Sequence, residues 1–283
     1  MRLVSIQPLR GEYYHGLLYE PKIKGKVCCV FMHGTASNFY EEAWIHELAN
    51  TLNTRYSVSL LTCNTSGSNG MNIYPKSGAV VEILENVVSD YNAWIEYLIR
   101  NGYTKIILIG HSLGTEKLVY YYNNTIYKNR IIGAVLAGFS DSYNYELEWL
   151  NSIHIKEKAF DEATQLQKSN RGYEILTTHE NIHAGVLPQS ADSFLNFFSP
   201  NSILTKCLNF SGSMEAYNNI TIPMFGIISS GHEYTVESVA SVVRKLEKNT
   251  MFKQCIMVNE TNHDFESKEM EVSYHIGKFI SSL

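Results

Sequence analysis

The stretch KIILIGHSLGTEKLVYYYN, residues 105–123, places a serine between two glycines directly after a run of apolar residues. KIILIG is typical of a buried strand, and the residues from Gly114 onward are typical of a helix. In a G-x-S-x-G sequence the serine occupies a tight turn between strand and helix, where side chains larger than glycine would collide with neighbouring elements. This context predicts that Ser112 is a nucleophile; the alternative is a serine in an ordinary turn.

Other apolar runs surround this stretch and predict the rest of a sheet. Nearly continuous apolar runs are typical of parallel strands that are covered on both faces. Two short segments around Arg10-Gly11 predict a hairpin at the start of the sheet. Helical patterns alternate with the runs, so the sequence predicts an α/β fold with a mostly parallel sheet and helices on both faces. The predicted parallel strands are Lys26–Met32, Tyr56–Cys63, Lys105–Gly110, Ile131–Gly138, Ile222–Ser229 and Phe252–Val258.

The clearest helical pattern lies between the second and third of these strands, over residues 79–102. Its apolar residues recur at helical spacing, and Gly102 is placed to end the helix in the left-handed conformation. The acidic residues Glu82, Glu85, Asp90 and Glu96 are expected to face away from the core.

Strand signals stop after Gly138 for about 80 residues, and the intervening segment is rich in polar residues, Tyr, Phe and His. We therefore predict a core of residues 1–141 and 220–283, interrupted by a lid insertion of residues 142–219. The aromatic residues of the insertion either bind an apolar part of a ligand or pack the lid onto the core. These residues are Tyr173, Phe194, Phe197 and Phe198.

Composition excludes several classes of function. The 283 residues are 45% apolar and 18% charged, with a net charge of −5. No basic cluster suggests a nucleic-acid partner, and no apolar stretch approaches the roughly 20 residues that span a bilayer. The N-terminus lacks the apolar segment of a signal peptide, and five cysteines in mostly apolar runs favour reduced thiols in the cytoplasm. No cofactor or metal is predicted, and the oligomeric state is left open.

A serine nucleophile needs a base and a pair of hydrogen-bond donors for the oxyanion. His263, in VNETNHDFES, is the histidine between the last strand and the last helix, where the base is expected. For the oxyanion, the N–H of Leu113 follows the nucleophile directly. The second donor is expected in FMHGTASN, where the N–H of Thr35 is preferred to that of Ala36.

The base also needs an acid that orients it. The loop after the strand IPMFGIIS reads SGHEYTV and contains His232 and Glu233. Glu233 is the carboxylate of this loop and is predicted to be the acid. Asp141, after the preceding strand, is the alternative, and Asp264 is discounted because, as the neighbour of His263 in sequence, it would point away from the imidazole ring.

The motifs HGTAS, GHSLG and NHDF, in this order, resemble those of the α/β-hydrolase superfamily over nearly the whole chain. Within it, GHSLGTEKLVYYYN, AGFSDSYNYE, FLNFFSPNS and GHEYTV resemble the group of hydrolases called DUF1749. The superfamily resemblance implies an α/β-hydrolase fold and hydrolysis of a small-molecule ester through an acyl-enzyme on Ser112. A thioesterase, an acyltransferase or an amidase at the same site remains open, because the fold does not select the substrate.

Two further hypotheses come from other classes. HENIH matches the H-E-x-x-H zinc pattern, in which His179 and His183 would bind the metal of a peptidase. Gly185 and Pro188 follow at once and no third ligand is evident, so a polar part of the lid is preferred. The superfamily resemblance implies an aspartate at or near the position of His232, and its absence here also leaves open a binding protein without activity on a hydrolase scaffold.

Overall fold

The computed structural model describes residues 1–8, 11, 13–72, 76–180 and 187–283, without the side chains of residues 179 and 180. Within these ranges eight strands form one sheet: β1 (Arg2–Ile6), β2 (Tyr14–Tyr19), β3 (Val27–Met32), β4 (Ser59–Cys63), β5 (Lys105–His111), β6 (Ile131–Ala137), β7 (Met224–Ser229) and β8 (Phe252–Val258). Their order is β1-β2-β4-β3-β5-β6-β7-β8. Only β2 is antiparallel to its neighbours β1 and β4; the other pairs are parallel. The predicted α/β-hydrolase fold is confirmed.

Helices cover both faces of the sheet. They are α1 (Ala43–Thr51), α2 (Val87–Arg100), α3 (Leu113–Asn124), α4 (Ser142–Ser152), α5 (Lys156–Lys168), α6 (Thr177–Glu180), α7 (Ala191–Phe198), α8 (Glu215–Asn218), α9 (Val239–Leu246) and α10 (Glu269–Ile280). Side chains of α2, α3 and α9 share one core with the sheet, and side chains of α1 and α10 share the other. Burial on both faces explains why the central strands are apolar throughout.

The prediction of one continuous helix over residues 79–102 is wrong in its first part. Two short 3₁₀ turns precede α2, which begins at Val87, and Gly102 follows it with a φ of +88° as predicted. Glu82 and Asp90 are buried, not solvent-facing. Lys117 lies 2.7 Å from the Glu82 carboxylate, and Ser66 donates to Asp90, so each buried carboxylate has a polar partner far away in sequence.

The chain between β6 and β7 carries α4 to α8 and no long strand among its described residues. Side chains of α4, α5 and α7 form a third hydrophobic cluster, which also includes Leu84 and Leu113 from the core. The boundaries 142 and 219 of the insertion stay a prediction. None of the described helices has the length and apolarity to cross a bilayer. All five cysteines are free thiols, and the cytoplasmic location stays a prediction.

Candidate active site

Ser112 lies between the end of β5 and the start of α3 in the strained conformation expected of such a turn. Its φ is +55° and its ψ is −132°, a region that non-glycine residues rarely occupy. A Cβ at Gly114 would lie only 1.9 Å from the carbonyl oxygen of Met32, and one at Gly110 would lie 2.5 Å from that of Gly114. The two flanking glycines are therefore required by the close approach of backbone, and the turn leaves Ser112 partly exposed.

His263 and Glu233 are in contact, although thirty positions separate them in the chain. Nδ1 of His263 is hydrogen-bonded to Oε2 of Glu233, whose other oxygen accepts the N–H of Ser229 at 3.0 Å. The Glu233 side chain is fully buried, so this carboxylate is fixed by both bonds. Nε2 of His263 is buried and has no hydrogen-bond partner among the described residues. This arrangement leaves Nε2 available for proton transfer.

The other acidic and basic candidates lie elsewhere. Asp141 caps α4, and its carboxylate accepts hydrogen bonds from Asn144 and from the N–H of Phe210. His232 is exposed, and its Nε2 bonds to the hydroxyl of Tyr145 at 3.0 Å. Neither side chain is hydrogen-bonded to His263 in the described part of the chain.

The two candidate oxyanion donors lie at the ends of neighbouring strands. Leu113 is the first residue of α3, and Thr35 follows β3 in a loop in which a Cβ at Gly34 would come within 2.9 Å of the Ser112 Cβ. Neither N–H donates a hydrogen bond to a described residue. His33 fixes the position of this loop, because its ring is hydrogen-bonded to the carbonyl of Gly34 and to the hydroxyls of Thr65 and Ser68. Burial, together with the charge of Lys117, lowers the pKa of His33 to about 3, so this ring is neutral.

His111 and Glu42 form a second acid–histidine pair that sequence reasoning missed. His111 is 2% exposed; its Nε2–H donates to the carbonyl oxygen of His263 at 3.0 Å, and its ring lies 4.8 Å from the His263 ring. Its Nδ1 lies 3.7 Å from Oε1 of Glu42. Burial lowers the pKa of His111, but Glu42 outweighs this effect and the net pKa is raised. The pKa of Glu42 is lowered to about 2: burial raises it, and the interactions with His111 and Ser37 dominate. The only sequence signal was the histidine inside GHSLG.

Ser112 and His263 line one cavity of about 320 Å³. One part of its wall is apolar and comes from the chain between β6 and β7, with Leu150, Leu187, Phe197 and Phe198. Another part is polar, with Tyr145, Glu146, Tyr234 and Asp264. Among the aromatic residues singled out from the sequence, Phe197 and Phe198 reach the cavity. Phe194 is buried and Tyr173 is exposed, and neither lines it.

Two groups of residues consist of side-chain types that bind metal ions. HENIH falls outside the described residues, because the structure describes neither His183 nor the side chain of His179. His111, His263 and Asp264 have potential ligand atoms within 4.8 Å of one another. Both histidines already use ring nitrogens in the hydrogen bonds described above, and the Asp264 side chain is 57% exposed. This group therefore fits a hydrogen-bonded proton-transfer site better than a closed metal site.

Solved structures similar to this chain include three esterases or hydrolases. The thermostable carboxyl esterase from Bacillus coagulans is 14% identical, with 99% of this chain and 98% of that chain covered and a TM-score of 0.67. Est1E from Butyrivibrio proteoclasticus, with ferulic acid bound, is 14% identical with the same coverage and a TM-score of 0.66. The siderophore hydrolase EstB from Aspergillus fumigatus is 14% identical, with 95% and 93% covered and a TM-score of 0.65. At this identity the likeness establishes the fold.

Comparison of the sequence with curated proteins gave no match. A family model does match, over residues 14–273, and its description is "Protein of unknown function (DUF1749)". The matched range includes the turn at Ser112, the loop of Glu233 and the loop of His263. The chain, which has the α/β-hydrolase fold, therefore belongs to the DUF1749 family.

Proposed function

We propose that this protein is a serine hydrolase that cleaves carboxylic esters, with Ser112 as the nucleophile, His263 as the base and Glu233 as the acid. The observation that carries the proposal is the convergence of three chain segments on one cavity. Ser112 is held in a strained turn, and the His263–Glu233 pair comes from the loops after β8 and β7. Strain of this kind is retained where the surrounding structure and the function require it.

The proposed mechanism follows from the hydrogen bonds of the pair. Glu233 binds Nδ1–H of His263, which leaves the lone pair of Nε2 to accept the proton of the Ser112 hydroxyl. The serine oxygen attacks the ester carbonyl, and the N–H groups of Leu113 and Thr35 bind the oxyanion. His263 then returns the proton to the alcohol that leaves, and it activates the water that hydrolyses the acyl-enzyme. Ser112 and His263 have no direct hydrogen bond here, as is common for catalytic pairs before substrate binds.

Residues 142–219 are proposed to act as a lid over the site. The apolar side chains of α4 and α7 provide a surface for the acyl group. Because these side chains exclude water, they would strengthen the electrostatic interactions in the site. An oxygen ester is preferred; a thioester or an amide would use the same residues, and a comparison of kcat/KM among the three decides the preference.

An active-site phosphonate separates this proposal from its alternatives. We expect a fluorophosphonate probe to label the wild-type protein at Ser112 and to abolish turnover of p-nitrophenyl butanoate, because an activated serine attacks phosphorus. A chelator such as EDTA should leave the rate unchanged. The measurement is intact-protein and peptide mass spectrometry alongside the assay.

Loss of activity in the chelator without phosphonate labelling would replace the proposal by the zinc hypothesis at His179 and His183. A protein that is neither labelled nor active on esters would instead be a binding protein on this scaffold.

His111 is proposed as a positioning residue, because its Nε2–H bond fixes the backbone of the catalytic base. His111→Phe should keep the ring packing and lower kcat by about 10- to 100-fold, the loss expected from a small misplacement of a catalytic group. His111→Gln keeps a donor and should recover part of kcat. An equal kcat for the Phe variant and the wild type in the p-nitrophenyl butanoate assay would contradict this role.

A further inference from the structure

The wall of the cavity next to His263 has an uneven distribution of charge. Three carboxylates line the cavity, those of Glu42, Glu146 and Asp264, and no Lys or Arg is among the lining residues that the structure describes. A cavity with walls of one charge sign concentrates ligands of the opposite sign. The charge therefore favours a cationic substrate and disfavours an anionic one.

Glu146 differs from the other carboxylates because it has no partner. Glu42 accepts a hydrogen bond from Ser37 at 3.0 Å and lies beside His111, and Oδ1 of Asp264 lies 4.0 Å from Nε2 of His111. Glu146 is only partly exposed, and no described residue donates a hydrogen bond to it or forms an ion pair with it. Burial raises its pKa, which is the expected behaviour of a carboxylate that has lost water without gaining a cation.

Two tyrosines lie within electrostatic range of Glu146: burial, and in addition the charge of Glu146, raises the pKa of Tyr145 and of Tyr234. The rings of Tyr145 and Tyr234 are 5.3 Å apart and nearly perpendicular, and both line the cavity. Aromatic faces combined with a carboxylate are the chemistry that binds ammonium groups, and quaternary ammonium groups in particular. The Tyr145 hydroxyl is bonded to His232, which fixes this ring.

The position of the tyrosines indicates which half of an ester they would contact. The Tyr234 ring centroid lies 4.6 Å from that of His263. In the proposed reaction His263 donates its proton to the oxygen of the leaving alcohol, so groups packed against this ring lie near the alcohol part. The apolar side chains of Leu150, Phe197 and Phe198 are then left for the acyl part.

We propose that the site selects esters of amino alcohols, with the cationic nitrogen of the alcohol held by Glu146 and the rings of Tyr145 and Tyr234. This inference rests on the proposed function, because it assigns the alcohol half of the ester that Ser112 cleaves. It gives the chain between β6 and β7 a role in specificity in addition to covering the site.

The test is a pair of esters that differ only in charge. Butanoylcholine and 3,3-dimethylbutyl butanoate have the same shape, because a carbon replaces the quaternary nitrogen. We expect kcat/KM for the choline ester to be about tenfold higher, in the range given by a partly desolvated cation–π contact with a tyrosine ring. The anionic 3-carboxypropyl butanoate should be the poorest substrate. Acid release in a pH-stat measures all three esters.

Glu146→Gln should lower the ratio of kcat/KM for the choline ester to that for its neutral isostere several-fold, because the two rings remain and only the charge is lost. Glu148→Gln is the matched control, because Glu148 lies on the same helix, is exposed and does not line the cavity. It removes the same charge from the protein and should leave the ratio as in the wild type. Tyr145→Leu should lower the ratio, whereas Tyr145→Phe, which keeps the ring, should preserve most of it.

Equal kcat/KM for the two isosteres in the wild type, or a wild-type ratio in Glu146→Gln, would overturn the inference. The neutral ester and phosphonate labelling keep this failure separate from that of the proposed function. If the neutral ester is cleaved and Ser112 is labelled while the ratio of kcat/KM is 1, the proposed hydrolase function is retained and the amino-alcohol specificity is rejected. If no ester is cleaved and Ser112 is not labelled, the proposed function fails first.

Discussion

Ser112→Ala is expected to abolish ester hydrolysis while the fold is retained. Removal of the nucleophile from a serine protease lowers kcat by about 10⁶-fold, and a loss of this order is expected here. The substitution deletes one oxygen atom. Alanine is similar in size to serine, so residue 112 can keep its positive φ and the fold is retained. The measurement is kcat for p-nitrophenyl butanoate, with circular dichroism and thermal unfolding as tests of the fold.

The same variant should no longer react with the phosphonate probe, which distinguishes lost chemistry from lost substrate binding. If Ser112→Ala kept a tenth of the wild-type kcat, Ser112 would not be the nucleophile. An ester-cleaving contaminant is excluded by measuring wild type and variant purified in parallel.

Glu233→Gln is expected to give the second-largest loss, about 10⁴-fold in kcat, by comparison with the neutralised acid of a serine protease. The two bonds of Glu233 explain why the amide fails in either orientation. If its NH₂ group faces Nδ1 of His263, it donates to that nitrogen, so the proton of the neutral ring moves to Nε2. If the NH₂ group faces the other way, it opposes the N–H of Ser229, a donor against a donor.

Asp141→Asn is the matched control, since it also changes a buried carboxylate near the cavity to an amide. Because this carboxylate caps α4 and accepts the N–H of Phe210, we expect a lower thermal midpoint and a kcat within a few-fold of the wild type. The opposite ranking, with a severe Asp141 variant beside a nearly normal Glu233 variant, would move the acid to the loop after β6. Two nearly normal variants would indicate a Ser–His dyad.

Local sequence was sufficient for the sheet and for the turn at Ser112. A parallel strand covered on both faces must be apolar throughout, so runs such as KIILIG carry their own signal. The two glycines around Ser112 are likewise a local requirement, because neighbouring backbone comes within 2.5 Å of any added Cβ. For the same reason the family resemblance could be recognised from short motifs and was confirmed by the match over residues 14–273.

Helical periodicity was a poorer guide where charged residues are buried. The spacing placed Glu82 and Asp90 on a solvent-facing side, but Lys117 and Ser66 come from distant parts of the chain and pair with them inside the protein. A pattern of apolar positions cannot report such partners, because the cost of burying a charge is offset by contacts that exist only after folding.

What the sequence by itself determined is the mostly parallel sheet, the strained serine turn and the family. The tertiary structure decided which carboxylate contacts His263. The loops after β6 and β7 begin at the same edge of the sheet, and each carries a candidate carboxylate, Asp141 in the first and Glu233 in the second. It also brought His111 to Glu42, and Tyr145 to Tyr234, across gaps that no motif spans. The physical reason is that strands and turns follow from interactions between chain neighbours, whereas the charge and hydrogen bonding of the site depend on distances between segments that only folding sets.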